Sequence, residues 1–293
     1  MRIGIIGGGA VGLLTAYFLR AQHEITIYVR REEQRDALLN NGVSVRPYEE
    51  NRGVQIGFLK EIADHDILLI CVKSYQLQAL FPTLQTINCP IIFMQNGMGH
   101  IKWIKEANLQ VSIGIGVFEH GVRKVNDDTV IHSGVGQIRV SPFEEEDEII
   151  QSFVPLLDQD AFPFYAQDDW RRVLQEKLIA NAVINPITAL FQAENGTILQ
   201  IPELTWMAKK LCQEASNRLD LPWEEQWSYV KRIIKSTEKN RSSMLVDIDQ
   251  MRQTEVEQIS GYLMENSQED LPYTSFMYHS IKALERQKRG KDG

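Results

Sequence analysis

Apolar positions fall into two regimes along this chain. Up to about residue 164 they come as short runs separated by helix-length stretches. Residues 3–6, 24–29, 66–72, 90–94 and 111–118 read as strands, and 129–141 supplies further strands, alternating near Ile138-Arg139-Val140. Residues 67–72 (Ile-Leu-Leu-Ile-Cys-Val) hold no polar position, as expected of a strand buried on both faces. Between the strands, residues 10–20 and 32–41 read as helices, the second closed by Asn41-Gly42. Such alternation predicts a doubly wound, mostly parallel sheet. Past residue 164 the strand pattern stops. Residues 169–191, 202–219, 223–235 and 243–266 read as helices, punctuated by Pro222 and Pro272. The pattern therefore predicts two domains, 1–166 and 167–293, the second all-helical.

The first strand runs straight into Gly7-Gly8-Gly9-Ala10-Val11-Gly12 and then into the first helix. Glycines at 7, 9 and 12 have separate tasks: a tight turn, close backbone approach to a pyrophosphate, and tight helix–strand packing. The helix behind them offers unpaired N–H groups to phosphate. Placed between a strand and a helix, with a second strand following, this predicts a Rossmann-type dinucleotide site. The run is shorter than the ~20 apolar residues a membrane span needs. Three adjacent glycines and the lack of a small-residue cleavage site after Leu19 also oppose a signal peptide.

The end of the second strand bears on the cofactor. Proteins that bind NAD usually place an Asp or Glu there, against the ribose hydroxyls. This chain has Tyr28-Val29-Arg30-Arg31. A guanidinium binds a 2′-phosphate that a carboxylate would repel, so the expected cofactor is NADP(H), with Arg30, and Arg31 beside it, at the adenosine phosphate. The competing reading pairs Arg31 with acidic neighbours such as Glu32 or Glu33 on a solvated helix start.

A net charge of −8 argues against nucleic acid as a partner, and the basic run from Arg286 to Lys291 reads as a frayed tail. Three widely spaced cysteines form neither a disulfide framework nor a zinc pattern, which fits a reducing cytoplasm; the six histidines show no metal-ligand spacing. A small-molecule substrate, with the chain acting as a monomer or homodimer, is the expectation.

Ligands of open α/β sheets lie outside the carboxyl ends of the strands. Lys73 and the segment Gln95-Asn96-Gly97 follow two such ends. Lys73 suits phosphate or ribose, and Asn96 suits the nicotinamide end or the substrate, although Asn-Gly is also a turn signal. In the helical half, Lys177, Asn181 and Asn185 are spaced i, i+4, i+8 among apolar residues and share one helix face. A substrate carboxylate and carbonyl would satisfy them. Alternatively Lys177 snorkels to water and the asparagines bond carbonyls freed where Pro186 kinks or ends the helix. Spacing leaves both open. Further on, Ser243 reads as an N-cap and Glu255 as the partner of Arg252.

Taken together, Gly7-x-Gly9-x-x-Gly12, Lys73, Gln95-Asn96-Gly97, His120, Lys177-x-x-x-Asn181-x-x-x-Asn185-Pro186, Ser243-Met244-x-x-Asp247 and Arg252-x-Thr254-Glu255 resemble the ketopantoate reductase family over essentially the whole chain. The resemblance implies NADPH-dependent reduction of 2-dehydropantoate to pantoate, on the way to coenzyme A. It implies that Gly7 to Gly12 cradle the pyrophosphate, while Arg30 and Lys73 engage the adenosine phosphate. It implies Lys177 as catalytic acid, Asn96 near the reactive centre, and Asn181, Asn185 and Ser243 orienting the substrate. Glu255 would lie near the nicotinamide ribose and Lys177. Val117-Phe118-Glu119 departs from the small and threonine residues common before the family's histidine, so His120 receives no catalytic role. Two alternatives stay open: reduction of another branched 2-oxo acid, and an NADP-binding redox sensor without turnover.

Overall fold

The computed structural model describes residues 1–48, 53–145, 147–265, 267 and 270–289. The chain divides into two compact units, Met1–Gln95 with Trp103–Val173, and Asn96–Lys102 with Leu174–Gly293.

Eleven strands are described: β1 (Arg2–Ile6), β2 (Glu24–Val29), β3 (Ser44–Arg46), β4 (Gln55–Phe58), β5 (Ile67–Ile70), β6 (Ile91–Phe93), β7 (Ile113–Phe118), β8 (Gly121–Lys124), β9 (Thr129–Gly134), β10 (Ile138–Pro142) and β11 (Phe164–Ala166). Helices α1 (Ala10–Leu19), α2 (Glu32–Asn41), α3 (Phe81–Leu84), α4 (Ile101–Ala107) and α5 (Glu148–Leu157) lie among them in sequence. Eight strands form one sheet in the order β11-β10-β7-β6-β5-β1-β2-β4. Neighbours run parallel except β7 and β10. The order reverses between β1 and β5, which creates a crevice at their carboxyl ends. Ile3 sits opposite Ile25 on one side and Ile67 on the other, and all three are buried. This registered layer of branched side chains makes β1 the rigid centre of the unit.

Helix α2 buries only Gln34 and Leu38, one turn apart, and ends at Gly42 with φ +70°. A glycine there escapes the Cβ clash of a left-handed residue.

Several expectations need correction. Residues 129–141 do not all join the doubly wound sheet. Half-buried β9 pairs with β3 and β8 in a separate three-stranded sheet, and only β10 joins the large one. Strand pairing also continues past residue 164, where β11 pairs parallel with β10.

Helices α6 (Trp170–Phe191), α7 (Thr197–Gln200), α8 (Pro202–Arg218), α9 (Trp223–Ser236), α10 (Ser243–Asp249), α11 (Tyr262–Met264) and α12 (Pro272–Arg289), with a π-helical turn at Glu257–Gly261, make up the helical half of the chain. Pro186 does not end α6, which runs to Phe191. The Thr188 hydroxyl lies 2.8 and 3.1 Å from the carbonyls of Ile184 and Asn185, the back-bond usual for a threonine inside a helix. The single helix expected over 243–266 breaks after Asp249. Met251 takes φ +53°, the Arg252 N–H donates to the Asp247 carbonyl, and the Arg252 guanidinium meets the buried Asp247 carboxylate at 2.9 Å. A left-handed residue stops a helix, and the ion pair holds the chain in its turned path. The basic residues from Arg286 continue α12 as far as Arg289; residues 290–293, like Asn266, lie outside the described residues. Among the described residues no helix is long and apolar enough to cross a membrane.

Candidate active site

The glycine loop is built by packing on two sides and left open on the third. Gly7 has φ +117°, and a Cβ there would lie 2.9 Å from the Val72 nitrogen. A Cβ on Gly12 would lie 2.0 Å from the Gly7 carbonyl oxygen, so α1 approaches β1 this closely only with hydrogen at that position. Gly9 differs: a Cβ there would meet nothing nearer than the Cys71 carbonyl oxygen, at 3.9 Å. The protein's own packing does not require glycine at 9, whereas close approach of a pyrophosphate does. The loop is also tied from behind, because the buried Gln34 amide donates to the carbonyls of Gly8 (2.6 Å) and Asp127 (2.9 Å). Sequence reasoning missed Gln34; a glutamine on a surface-patterned helix gives no signal until its burial is seen.

Around the same crevice, Arg30 is exposed at the end of β2. Arg31 is committed elsewhere, to Asp127, which also accepts from Lys124 at 3.0 Å. This overturns a pairing of Arg31 with Glu32 or Glu33 and leaves Arg30 as the guanidinium available to an anion. Lys73 follows β5, and the Gln95 amide holds that strand's end by donating to the carbonyls of Ile70 (2.8 Å) and Val72 (3.1 Å). Cys71 lies beside the loop, but burial pushes its thiol up to about 12, so it offers no thiolate.

In the second unit, α6 carries Lys177, Asn181 and Asn185 in one stripe. Leu178, Ile179, Ala180, Ala182, Val183 and Ile184 around it are all buried. Lys177 and Asn181 are only partly buried, and Asn185 is buried at the far end. Within residues 177–184, Lys177 and Asn181 are the least buried positions of the helix.

Asn96 and Glu255, 159 positions apart, come together: the Asn96 amide donates to Glu255 Oε2 at 3.2 Å, and Glu255 is buried. Arg252 pairs with Asp247, so the expected surface pair of Arg252 with Glu255 does not form. The loop that carries Asn96 is pressed against the π-helical turn. Gly97 has φ +76°, a Cβ on it would lie 2.3 Å from the Gln258 carbonyl oxygen, and the Met98 N–H donates to that oxygen at 3.3 Å. His100, at the end of this loop, is fully buried and has no hydrogen-bond partner on either ring nitrogen among the described residues. Burial pushes its pKa down to about 4 against the pull of the Glu255 carboxylate.

Ser243 is exposed at the first turn of α10 and is not the N-cap. Ser242 caps the helix, accepting from the Leu245 N–H at 3.1 Å, and its hydroxyl oxygen lies 2.7 Å from that of Thr188. Ser243 is left facing outward. His120, in the first unit, belongs to a hydrogen-bonded chain of rings. Its Nδ1 accepts from the Gly136 N–H at 3.1 Å and lies 3.1 Å from His132 Nε2, while Tyr48 reaches His132 Nδ1 at 3.3 Å. Burial and then His132 push His120 down to about 4, so it is neutral at physiological pH. Among the described residues no group of three or more His, Cys, Asp or Glu is placed to hold a metal.

Comparison with known proteins gives the family. The family model for ketopantoate reductase PanE/ApbA matches residues 3–145, and that for its C-terminal part matches 169–285. The chain belongs to the ketopantoate reductase family. It is 41% identical to the 2-dehydropantoate 2-reductase of Bacillus subtilis (strain 168), over 98% of each chain. A crystal structure of the probable 2-dehydropantoate 2-reductase panE from Bacillus subtilis superposes with a TM-score of 0.85 at 40% identity, covering 97% of this chain and 100% of that one. A D-mandelate dehydrogenase solved with NADH and anilino(oxo)acetate gives a TM-score of 0.89 at 17% identity, over 99% and 100% of the two chains, and shares the fold. Between them the two family models cover residues of both units.

Proposed function

We propose that this chain reduces 2-dehydropantoate to pantoate with NADPH. The observation that carries the reading is the stripe of Lys177, Asn181 and Asn185, one helical turn apart and flanked by the buried Leu178, Ile179, Ala180, Ala182, Val183 and Ile184. An ammonium and two amides on one helix face match the carboxylate and carbonyl of a 2-oxo acid, which accept hydrogen bonds from such donors.

Gly7 to Gly12, with Ala10 and Val11 opening α1, would hold the dinucleotide's pyrophosphate, and Arg30 and Lys73 would bind its adenosine phosphate. When bound, NADPH supplies hydride to the substrate's C2 carbonyl carbon. Lys177 Nζ then donates a proton to the carbonyl oxygen as negative charge develops there, which balances the hydride and gives the alcohol. The amides of Asn181 and Asn185 and the Ser243 hydroxyl orient the substrate's carboxylate and hydroxyl. Asn96 fixes the Glu255 carboxylate, which lies near the nicotinamide ribose and Lys177 in this reading. His100 is kept neutral by burial and adds no charge beside Glu255.

The test is turnover of NADPH by the purified protein with ketopantoate and, in parallel, with 2-oxoisovalerate, which lacks the hydroxyl. Preference for ketopantoate supports the assignment; equal turnover would move it to branched 2-oxo acids in general. Lys177→Ala is expected to lower kcat by ~10²–10³. Retention of full kcat in that variant would remove lysine from the chemistry.

A further inference from the structure

Glu255 sits in a stretch with little regular structure of its own, between the end of α10 and the π-helical turn. Its backbone carbonyl accepts from the N–H groups of Gln258 and Ile259, both at 3.1 Å, so it starts the next helical segment. On its other side stands Thr254, 1% exposed. A single buried carboxylate oxygen, Glu285 Oε1 on α12, accepts both from the Thr254 N–H at 2.7 Å and from its hydroxyl at 2.6 Å. A hydroxyl has one hydrogen. With that hydrogen directed at Glu285, its lone pairs are turned to the Val256 N–H, which donates to Thr254 Oγ1 at 3.3 Å. Glu285 thus orients both residues that flank Glu255. Glu257 is held by the same helix, through the Tyr278 hydroxyl at 2.8 Å and Lys282 Nζ at 2.8 Å.

We infer that Glu285 is a positioning residue for the reaction, acting through Thr254 to aim the Glu255 carboxylate that Asn96 contacts. The inference rests on Glu255 belonging to the active site, as proposed above. Glu214 provides an internal control. It makes the same pattern of bonds, to the N–H groups of Tyr273 and Thr274 at 2.9 and 2.7 Å and to the Thr274 hydroxyl at 2.7 Å, but at the start of α12, where no proposed site residue adjoins. A purely structural role would make the two carboxylates behave alike.

The experiment is a double-mutant cycle on kcat/KM for ketopantoate at saturating NADPH, with thermal unfolding of every variant. Glu285→Ala is expected to lower kcat/KM by about 10–10², the scale of a roughly 1 Å misplacement. Glu285→Gln, which keeps an acceptor oxygen, should restore most of it. In a Glu255→Ala background, adding Glu285→Ala should cost less than about twofold, because the two changes remove one function. Glu214→Ala should lower the melting temperature while leaving kcat/KM within about twofold. Equal losses from Glu285→Ala in both backgrounds, or equal kcat/KM losses from Glu285→Ala and Glu214→Ala, would overturn the inference. Thr254→Val keeps the N–H bond, and takes the place of Glu285→Ala should that variant not fold. If the wild type fails to reduce ketopantoate, the substrate reading falls, and the crystal structure of Thr254→Val still decides the positioning. An Asn96–Glu255 contact lengthened beyond hydrogen-bond reach supports it; an unchanged contact overturns it.

Discussion

Adding one methyl group at residue 97 should disable the enzyme, while the same group two residues later should not. In Gly97→Ala the new Cβ falls 2.3 Å from the Gln258 carbonyl oxygen and 2.8 Å from its carbon, about 1 Å short of ordinary contact, and both atoms are backbone. The φ of +76° adds about 1–2 kcal/mol for a residue with a side chain. Relief requires the loop to lift from the π-helical turn, which breaks the 3.3 Å Met98–Gln258 bond at a further ~0.5–1.5 kcal/mol. With residual strain the total is about 3–5 kcal/mol. Asn96, one residue away, moves with the loop, so kcat/KM should fall by ~10² even in the folded fraction. At Gly99 a Cβ would meet the Gln258 side chain and Cα at 3.4 and 3.5 Å, and Gly99→Ala should stay within about 0.5 kcal/mol. Urea unfolding and steady-state kinetics on the pair decide the matter. Equal stability and activity in the two variants would refute the claim that loop geometry is set by contact with Gln258.

Other outcomes follow from the same structure. Gly9→Ala should leave the melting temperature near wild type and weaken NADPH binding at least tenfold, whereas Gly12→Ala, with its Cβ 2.0 Å from the Gly7 oxygen, should fail to fold; calorimetry and nucleotide titration separate them. Arg30→Ala should lower NADPH affinity by ~10–10² and leave NADH affinity unchanged, since only the 2′-phosphate differs; an equal loss for both would refute the phosphate role. His100 and His120 are both held near 4, below the ordinary histidine value of 6.5. The unfolded chain therefore binds more protons in that window, and stability is fully present above pH 6.5 and is lost as pH falls toward 4. Each contributes about 1.4 kcal/mol per pH unit. Urea midpoints at pH 7 and pH 5 should show the drop, and His120→Phe should lessen it; a flat profile would contradict buried neutral histidines.

How much of this was readable beforehand depends on how local the cause was. Residues 24–29 and 32–41 are bounded as the apolar pattern and the Asn41-Gly42 stop indicate, because neighbouring residues alone determine them. The α6 stripe was equally legible, since spacing of four is a property of the helix itself. The assignment of β9 to a second sheet was not legible, because register depends on partners far away in sequence. Ser242 and Ser243 are indistinguishable as caps until the helix start is known. The pairing of Asn96 with Glu255 joins positions that no periodicity relates, and the burial of Gln34 and Glu285 reverses what their residue types suggest.

Residues Asn96–Lys102 group with helices made more than seventy positions later. During synthesis this stretch emerges well before the surfaces of Gln258 and Glu265 on which Met98 and Lys102 rest. The helical unit is therefore discontinuous in the polypeptide, and a fragment starting at residue 167 would leave Gln258 bare and Glu255 without its amide. Dissecting this protein into halves calls for grafting that seven-residue insert onto the later piece, rather than for a single cut.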